Sequence, residues 1–167
     1  MAKAVFLDRD ETLNPDPGYI HDPELFRLYP WVPAELKRLQ EANFLLVLIT
    51  NQSGVGRGRI TPAALDLIHQ KLNRLLQEGG ARPFDLMEIC THRPDEQCDC
   101  RKPKPKLLLD AALKLNLDLS ACYMIGDRES DVEAGRLAGV RQSFQVKPGD
   151  ESSFKLAIES ILKSVSN

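Results

Sequence analysis

At 167 residues the chain is long enough to bury a core, and residues 1–167 read as one domain. Apolar residues (43%) and charged ones (28%) stand at ordinary values for a globular protein, while 22 basic against 24 acidic residues disfavour a general nucleic-acid binder, which should be strongly basic, and leave room only for a local basic patch. The N-terminus has one Lys and then a four-residue apolar run closed by an acid, so no signal peptide is read and a cytosolic location is expected.

The first predicted element is a strand, Ala4 to Leu7, running straight into Asp8 and Asp10. A helix over Pro33 to Ala42 puts Leu36 and Leu39 on one face, and a strand follows over Phe44 to Ile49, too short to span a bilayer. Thr61 to Glu78 has a Thr cap and Pro62 in its first turn, ends at Gly79-Gly80, and repeats Leu65, Ile68, Leu72 and Leu75 at helical spacing. Leu86 to Ile89 is a third strand, and Pro105 to Leu115 a helix. Tyr123 to Ile125 is a fourth strand, Asp131 to Leu137 a helix, Val140 to Val146 a fifth strand, and Ser153 to Val165 the last helix. The first four strands are nearly unbroken apolar stretches, as parallel strands covered on both faces should be. Strand and helix alternate throughout, so the fold class is α/β: an open parallel, Rossmann-like sheet with helices on both faces.

Ligands of such sheets bind beyond the carboxyl ends of the strands. Asp8 and Asp10 follow the first strand, and Thr50-Asn51-Gln52-Ser53-Gly54 the second. The third leads to Cys90 and His92, with Arg101-Lys102 soon after, and the fourth to Gly126-Asp127-Arg128. Three carboxylates on one edge repel unless a cation lies among them, and hard oxygen donors suit Mg2+. Thr50, Asn51, Ser53 and the backbone N–H groups near Gly54 and Gly56 are suited to cradle phosphate, Lys102 to meet it with a point charge and Arg101 with a planar fork. In an extended segment residues two apart point the same way, so Asp8 and Asp10 can act on one substrate. The chemistry implied is phosphoryl transfer, with Asp8 as nucleophile and Asp10 as acid to the leaving group and then base to water.

"FLDRDET", "LITNQSG", Lys102 within "CRKP", and "MIGDRESD" together resemble the four motifs of the haloacid dehalogenase (HAD) superfamily of aspartate-nucleophile phosphatases, over roughly residues 4 to 146. "CTHRPDEQCDCRKP" resembles the zinc loop of the branch holding heptose 1,7-bisphosphate 7-phosphatases and histidinol-phosphate phosphatases. The resemblance implies Mg2+ held by Asp8, Asp127 and the backbone carbonyl of Asp10. It also implies a transferring phosphate held by Thr50, Asn51 and Lys102, and Asp131 orienting Lys102 or a metal-bound water. Arg101, Arg128, Gln52, Ser53 and the segment Asp16-Pro17-Gly18-Tyr19 are then expected to face the substrate. Cys90, His92, Cys98 and Cys100 make a closed set of three thiolates and one imidazole, so a zinc ion there should be structural and pin the loop carrying Arg101 and Lys102. In a reducing compartment this clustering points to metal more than to disulfides.

About 40 residues, with one short helix, separate the acid pair from Thr50, which leaves no room for a lid domain. The expected partner is a small phosphorylated metabolite reaching an open site of a monomeric chain, with no nucleic acid and no membrane. "NQSGVGRG" and "PGYI" favour the heptose bisphosphate, and histidinol phosphate is the alternative. Two further classes are a phosphoacceptor receiver, which normally takes its acceptor from another strand and has no zinc loop, and a zinc-loop binding module without turnover. His69 in a helix, His21 in a loop, and Phe26 and Trp31 read as structural, and Cys122 as a small buried hydrophobe. The superfamily pattern has Gly after the second Asp where this chain has Glu11, whose side chain is expected to turn to solvent.

Overall fold

The computed structural model describes residues 1–165. Five parallel strands form one sheet: β1 (Ala4–Leu7), β2 (Leu45–Asn51), β3 (Leu86–Cys90), β4 (Tyr123–Gly126) and β5 (Gln142–Gln145), in the order β3-β2-β1-β4-β5. The helices are α1 (Val32–Glu41), the single turn α2 (Ser53–Gly56), α3 (Pro62–Glu78), α4 (Lys106–Leu115), α5 (Glu129–Ala138) and α6 (Glu151–Val165). Every predicted strand and helix is present, with ends shifted by up to two residues. The turn α2 and two short 3-10 segments, Pro23–Leu25 and Leu119–Ala121, carry no apolar period and were not predicted.

The period of two along buried strands splits the core in two. Val5 and Leu7 of β1, Leu46 and Leu48 of β2, and Tyr123 and Ile125 of β4 face α1, α3 and α6. Ala4 and Phe6, Val47 and Ile49, and Met124 face α4 and α5 on the other side. Both faces of the three central strands are thus dry, which accounts for their unbroken apolar sequence. The edge strand β5 is polar and partly exposed. In α3 the Thr61 hydroxyl caps the Ala64 N–H at 3.1 Å with Pro62 behind it. Its buried stripe is Leu65, Ile68, His69, Leu72 and Leu76; Leu75, predicted inside, is only partly covered.

The chain order builds the crevice. From β1 it winds outward through β2 to β3, then crosses to the other side of β1 for β4 and β5. The direction of winding reverses between β1 and β4, and the carboxyl ends there carry Asp8 and Asp127.

Candidate active site

Asp8 continues β1, its N–H donating to the Ile125 carbonyl at 3.0 Å. Its Oδ1 accepts from Lys102 Nζ at 2.7 Å. The same ammonium lies 2.6 Å from Asp131 Oδ1 and donates to the Ile49 carbonyl at 2.8 Å. Burial alone would lower the Lys102 pKa, but the carboxylates of Asp8 and Asp131 outweigh it and hold it above the ordinary lysine value. Asn51 takes the Lys102 backbone in a two-way clasp, accepting its N–H at 3.1 Å and donating to its carbonyl at 3.3 Å.

Carboxylate oxygens of Asp8, Asp127 and Asp131 all lie within 4.8 Å of one another. Burial and then the neighbouring Asp8 carboxylate push Asp127 up to about 7, and the same two causes raise Asp131 against the pull of Lys102. Three crowded carboxylates offering only hard oxygen donors fit a divalent cation such as Mg2+, which would relieve the repulsion. Asp131 meets Lys102, as expected of it, and also caps α5 by accepting the Arg128 N–H at 3.1 Å. Gly126 makes that approach feasible: a Cβ there would lie 2.3 Å from the Asp131 carboxyl.

Asp10 is held differently. Its Oδ1 meets the Arg9 guanidinium at 2.8 Å and the Asn14 amide at 3.0 Å, and its Oδ2 the Gln52 amide at 2.9 Å. Burial would raise its pKa, yet the Arg9 charge and these donors together bring it below the ordinary Asp value. The Gln52 amide also donates to Thr50 Oγ1 at 2.9 Å, and its carbonyl accepts from Arg9 at 3.2 Å. Arg9 is 1% exposed, packed over the Phe26 ring and donating to His69 Nε2 at 3.2 Å. Burial, and then the Arg9 charge, lower the His69 pKa to about 4, so the ring is a neutral acceptor. Arg9 was not singled out in the sequence, and His69, read there as structural, is its buried acceptor on the stripe of α3.

Asp8, Asp10, Asp16, Gly18, Tyr19 and Asn51 line one cleft of about 440 Å3, together with Gln52, Ser53, Arg101, Lys102 and Arg128. Thr50 lies beneath it, buried. Arg101 Nη1 is buried without a partner, a donor awaiting an acceptor. The Gly56 N–H, expected to help cradle phosphate, instead donates to the Thr91 carbonyl at 3.0 Å. Glu11 corrects a second expectation. Its side chain does not turn to solvent: Oε1 accepts the Asp16 N–H at 2.8 Å and Oε2 the Tyr29 hydroxyl at 3.2 Å. Burial and the Glu11 charge push Tyr29 up to about 12, so its hydroxyl keeps its proton and donates.

Beside the cleft, Cys90 Sγ lies 3.8 Å from Cys98 Sγ and 3.5 Å from His92 Nδ1, which is 3.1 Å from Cys100 Sγ. Cys90 and Cys100 are paired as a disulfide here, and only as reduced thiolates do they complete a metal-binding set with His92 and Cys98. Three thiolates and one imidazole whose ligand atoms all lie within 4.8 Å of one another are then the donor set of a tetrahedral zinc.

Residues 99–159 match the HAD-hydrolase-like family. The D-glycero-β-D-manno-heptose-1,7-bisphosphate 7-phosphatase of Haemophilus ducreyi is 40% identical over 153 residues, covering 88% of this chain and 84% of its own length. This chain belongs to that family of HAD phosphatases. The family's enzyme from Escherichia coli K12 is 37% identical over 87% of this chain and 80% of its own length. Among solved structures, the D,D-heptose 1,7-bisphosphate phosphatase of B. bronchiseptica, complexed with magnesium and phosphate, superposes with a TM-score of 0.87 at 30% identity, covering 98% of this chain and 99% of that one. Family membership sets aside the receiver and binding-module readings: the chain is a phosphatase of the HAD superfamily, without a cap domain. No helix among the described residues is long and apolar enough to cross a membrane.

Proposed function

We propose that this chain removes the 7-phosphate of D-glycero-D-manno-heptose 1,7-bisphosphate through an aspartyl-phosphate on Asp8. The observation that carries the mechanism is the Lys102 ammonium, 2.7 Å from Asp8 and 2.6 Å from Asp131, at the mouth of β1 and β4. An Asp8 carboxylate oxygen bonds to phosphorus as the P–O7 bond breaks, and the electron pair leaves with O7, which takes a proton from Asp10. Asp10, now a carboxylate, takes a proton from the water that attacks the same phosphorus, releasing inorganic phosphate and freeing Asp8. Without substrate, Arg9 and the amides hold Asp10 in its base form. A phosphate dianion beside it opposes that charge and loads the proton needed for the first step.

Asp8, Asp127 and the Asp10 carbonyl would hold Mg2+, which when bound neutralises phosphate oxygens and orients them. Lys102, fixed by Asn51 and Asp131, supplies a further positive charge to the phosphoryl group as it transfers. Cys90, His92, Cys98 and Cys100 would hold a structural zinc that fixes the loop bearing Arg101 and Lys102.

Arg57, Arg101 and Arg128 on the cleft wall favour a second anionic group on the substrate. The same arginines disfavour histidinol phosphate, whose amine is a cation. The relatives' names carry the β anomer of the heptose. A panel of both heptose 1,7-bisphosphate anomers, histidinol phosphate and simple sugar phosphates, assayed for phosphate release with Mg2+, tests this. The highest kcat/KM is expected on a heptose bisphosphate. Faster turnover of histidinol phosphate than of either anomer would overturn the choice of substrate.

A further inference from the structure

Glu11 stands where a left-handed backbone is required, with φ of 64°, a conformation glycine takes freely and glutamate does not. Strain kept beside an active site calls for compensation, and its contacts supply one. The backbone is over-determined, the N–H donating to the Asn14 carbonyl at 2.7 Å and the carbonyl accepting from Gly149 at 3.2 Å. The carboxylate is fully engaged as well. One oxygen accepts the Asp16 N–H, and the other the hydroxyl of Tyr29.

Those two partners differ in kind. Tyr29 is a fixed post: its ring stacks on Trp31 (centroids 4.9 Å, planes 3° apart) and its N–H bonds the Leu13 carbonyl at 2.9 Å. Asp16 opens the segment 16–20, which forms one wall of the cleft through Asp16, Gly18, Tyr19 and Ile20. Asp16 passes the restraint on, its Oδ1 accepting the Gly18 N–H at 3.0 Å. Pro17 and Gly18 are otherwise exposed. The carboxylate of Glu11 therefore ties a substrate-facing wall to the turn that carries Asp8 and Asp10.

We propose that Glu11 is a positioning residue: it latches segment 16–20 in its binding conformation and so sets the affinity for the part of the substrate remote from the transferring phosphate. This rests on the heptose bisphosphate reading above. Both oxygens of Glu11 are directed at Asp16 and Tyr29. Glycine at this position relieves the backbone but releases the wall. Glutamine keeps an acceptor for the Asp16 N–H.

The test is steady-state kinetics of the full chain with Mg2+ and D-glycero-β-D-manno-heptose 1,7-bisphosphate, comparing wild type, Glu11→Gly and Glu11→Gln. Glu11→Gly is expected to raise KM roughly tenfold, the loss of one charge-assisted hydrogen bond, while kcat changes less than about threefold. Glu11→Gln is expected to recover most of the KM. An unchanged KM in Glu11→Gly, a loss confined to kcat, or a Gln variant no better than the Gly variant overturns the latch. Amide hydrogen exchange at Asp16 without substrate gives an independent reading, expected to be at least about tenfold faster in Glu11→Gly. Equal exchange in the two proteins contradicts the proposal. If wild type leaves the bisphosphate intact, the substrate reading fails, and the exchange experiment still decides the latch.

Discussion

His69 keeps its imidazole neutral against the Arg9 guanidinium, and that choice makes stability depend on pH. Its pKa falls from 6.5 to about 4 on folding, so between those values the unfolded chain binds a proton that the folded one refuses. The contribution is whole above pH 6.5 and lost as pH drops toward 4, on the order of 3 kcal/mol in all. Replacing His69 by Gln retains an acceptor for Arg9 without the titration. Chemical denaturation at pH 7 and pH 4.5 should therefore show a smaller acid loss in His69→Gln than in wild type; equal losses would mean that His69 is protonated in the fold. At Asp8 the expectation is functional. Asp8→Asn is expected to cut phosphate release by at least about 10³-fold while Tm holds or rises, since one of three crowded carboxylates is discharged. A parallel collapse of Tm would recast Asp8 as a structural residue. The Arg9–His69 and Arg9–Gln52 contacts were not legible in the sequence, because each joins the catalytic turn to a loop or helix more than 40 positions away. Glu11 misled through nearer partners, 5 and 18 positions along the chain. Its partners Asp16 and Tyr29 meet it only once the loop has closed.

Between elements, the end of β4 leaves no room for a side chain against the first turn of α5. Gly126→Ala forces a methyl into the Asp131 carboxyl and so moves the group that holds Lys102. An activity loss of about tenfold or more is expected from kcat measurements, with the protein still folded. A fully active Gly126→Ala would show that Lys102 needs no such support. The Cys/His loop makes a separate claim. Metal analysis of purified protein should find one zinc per chain, lost in Cys98→Ser. A metal-free chain retaining the Cys90–Cys100 disulfide would contradict the zinc assignment. The elements themselves were legible because their physics is local. Runs such as Leu46 to Ile49 are dry on both faces, and α3 announces itself with Thr61, Pro62 and a repeating apolar stripe. Where local signals are weak, as in the polar edge strand β5 or the single turn α2, boundaries or whole elements were missed.

Over the molecule as a whole, the strand order places the ends of β1 and β4 side by side, and the topology gathers what the sequence scatters. Asp8, Lys102, Asp127 and Asp131 were each readable as residues at or beyond strand ends, so their meeting was foreseeable from the alternation of strand and helix alone. That Lys102 bridges Asp8 and Asp131 at once, within 2.7 Å and 2.6 Å, was not, because such distances are set only by packing. Phosphate position is the sharpest test of the functional claim. Phosphorus NMR of D-glycero-β-D-manno-heptose 1,7-bisphosphate, incubated with the chain and Mg2+, should show the C7 phosphate signal replaced by inorganic phosphate while the C1 phosphate persists. Loss of the C1 phosphate instead, or no release at all from protein whose fold is intact, would contradict it.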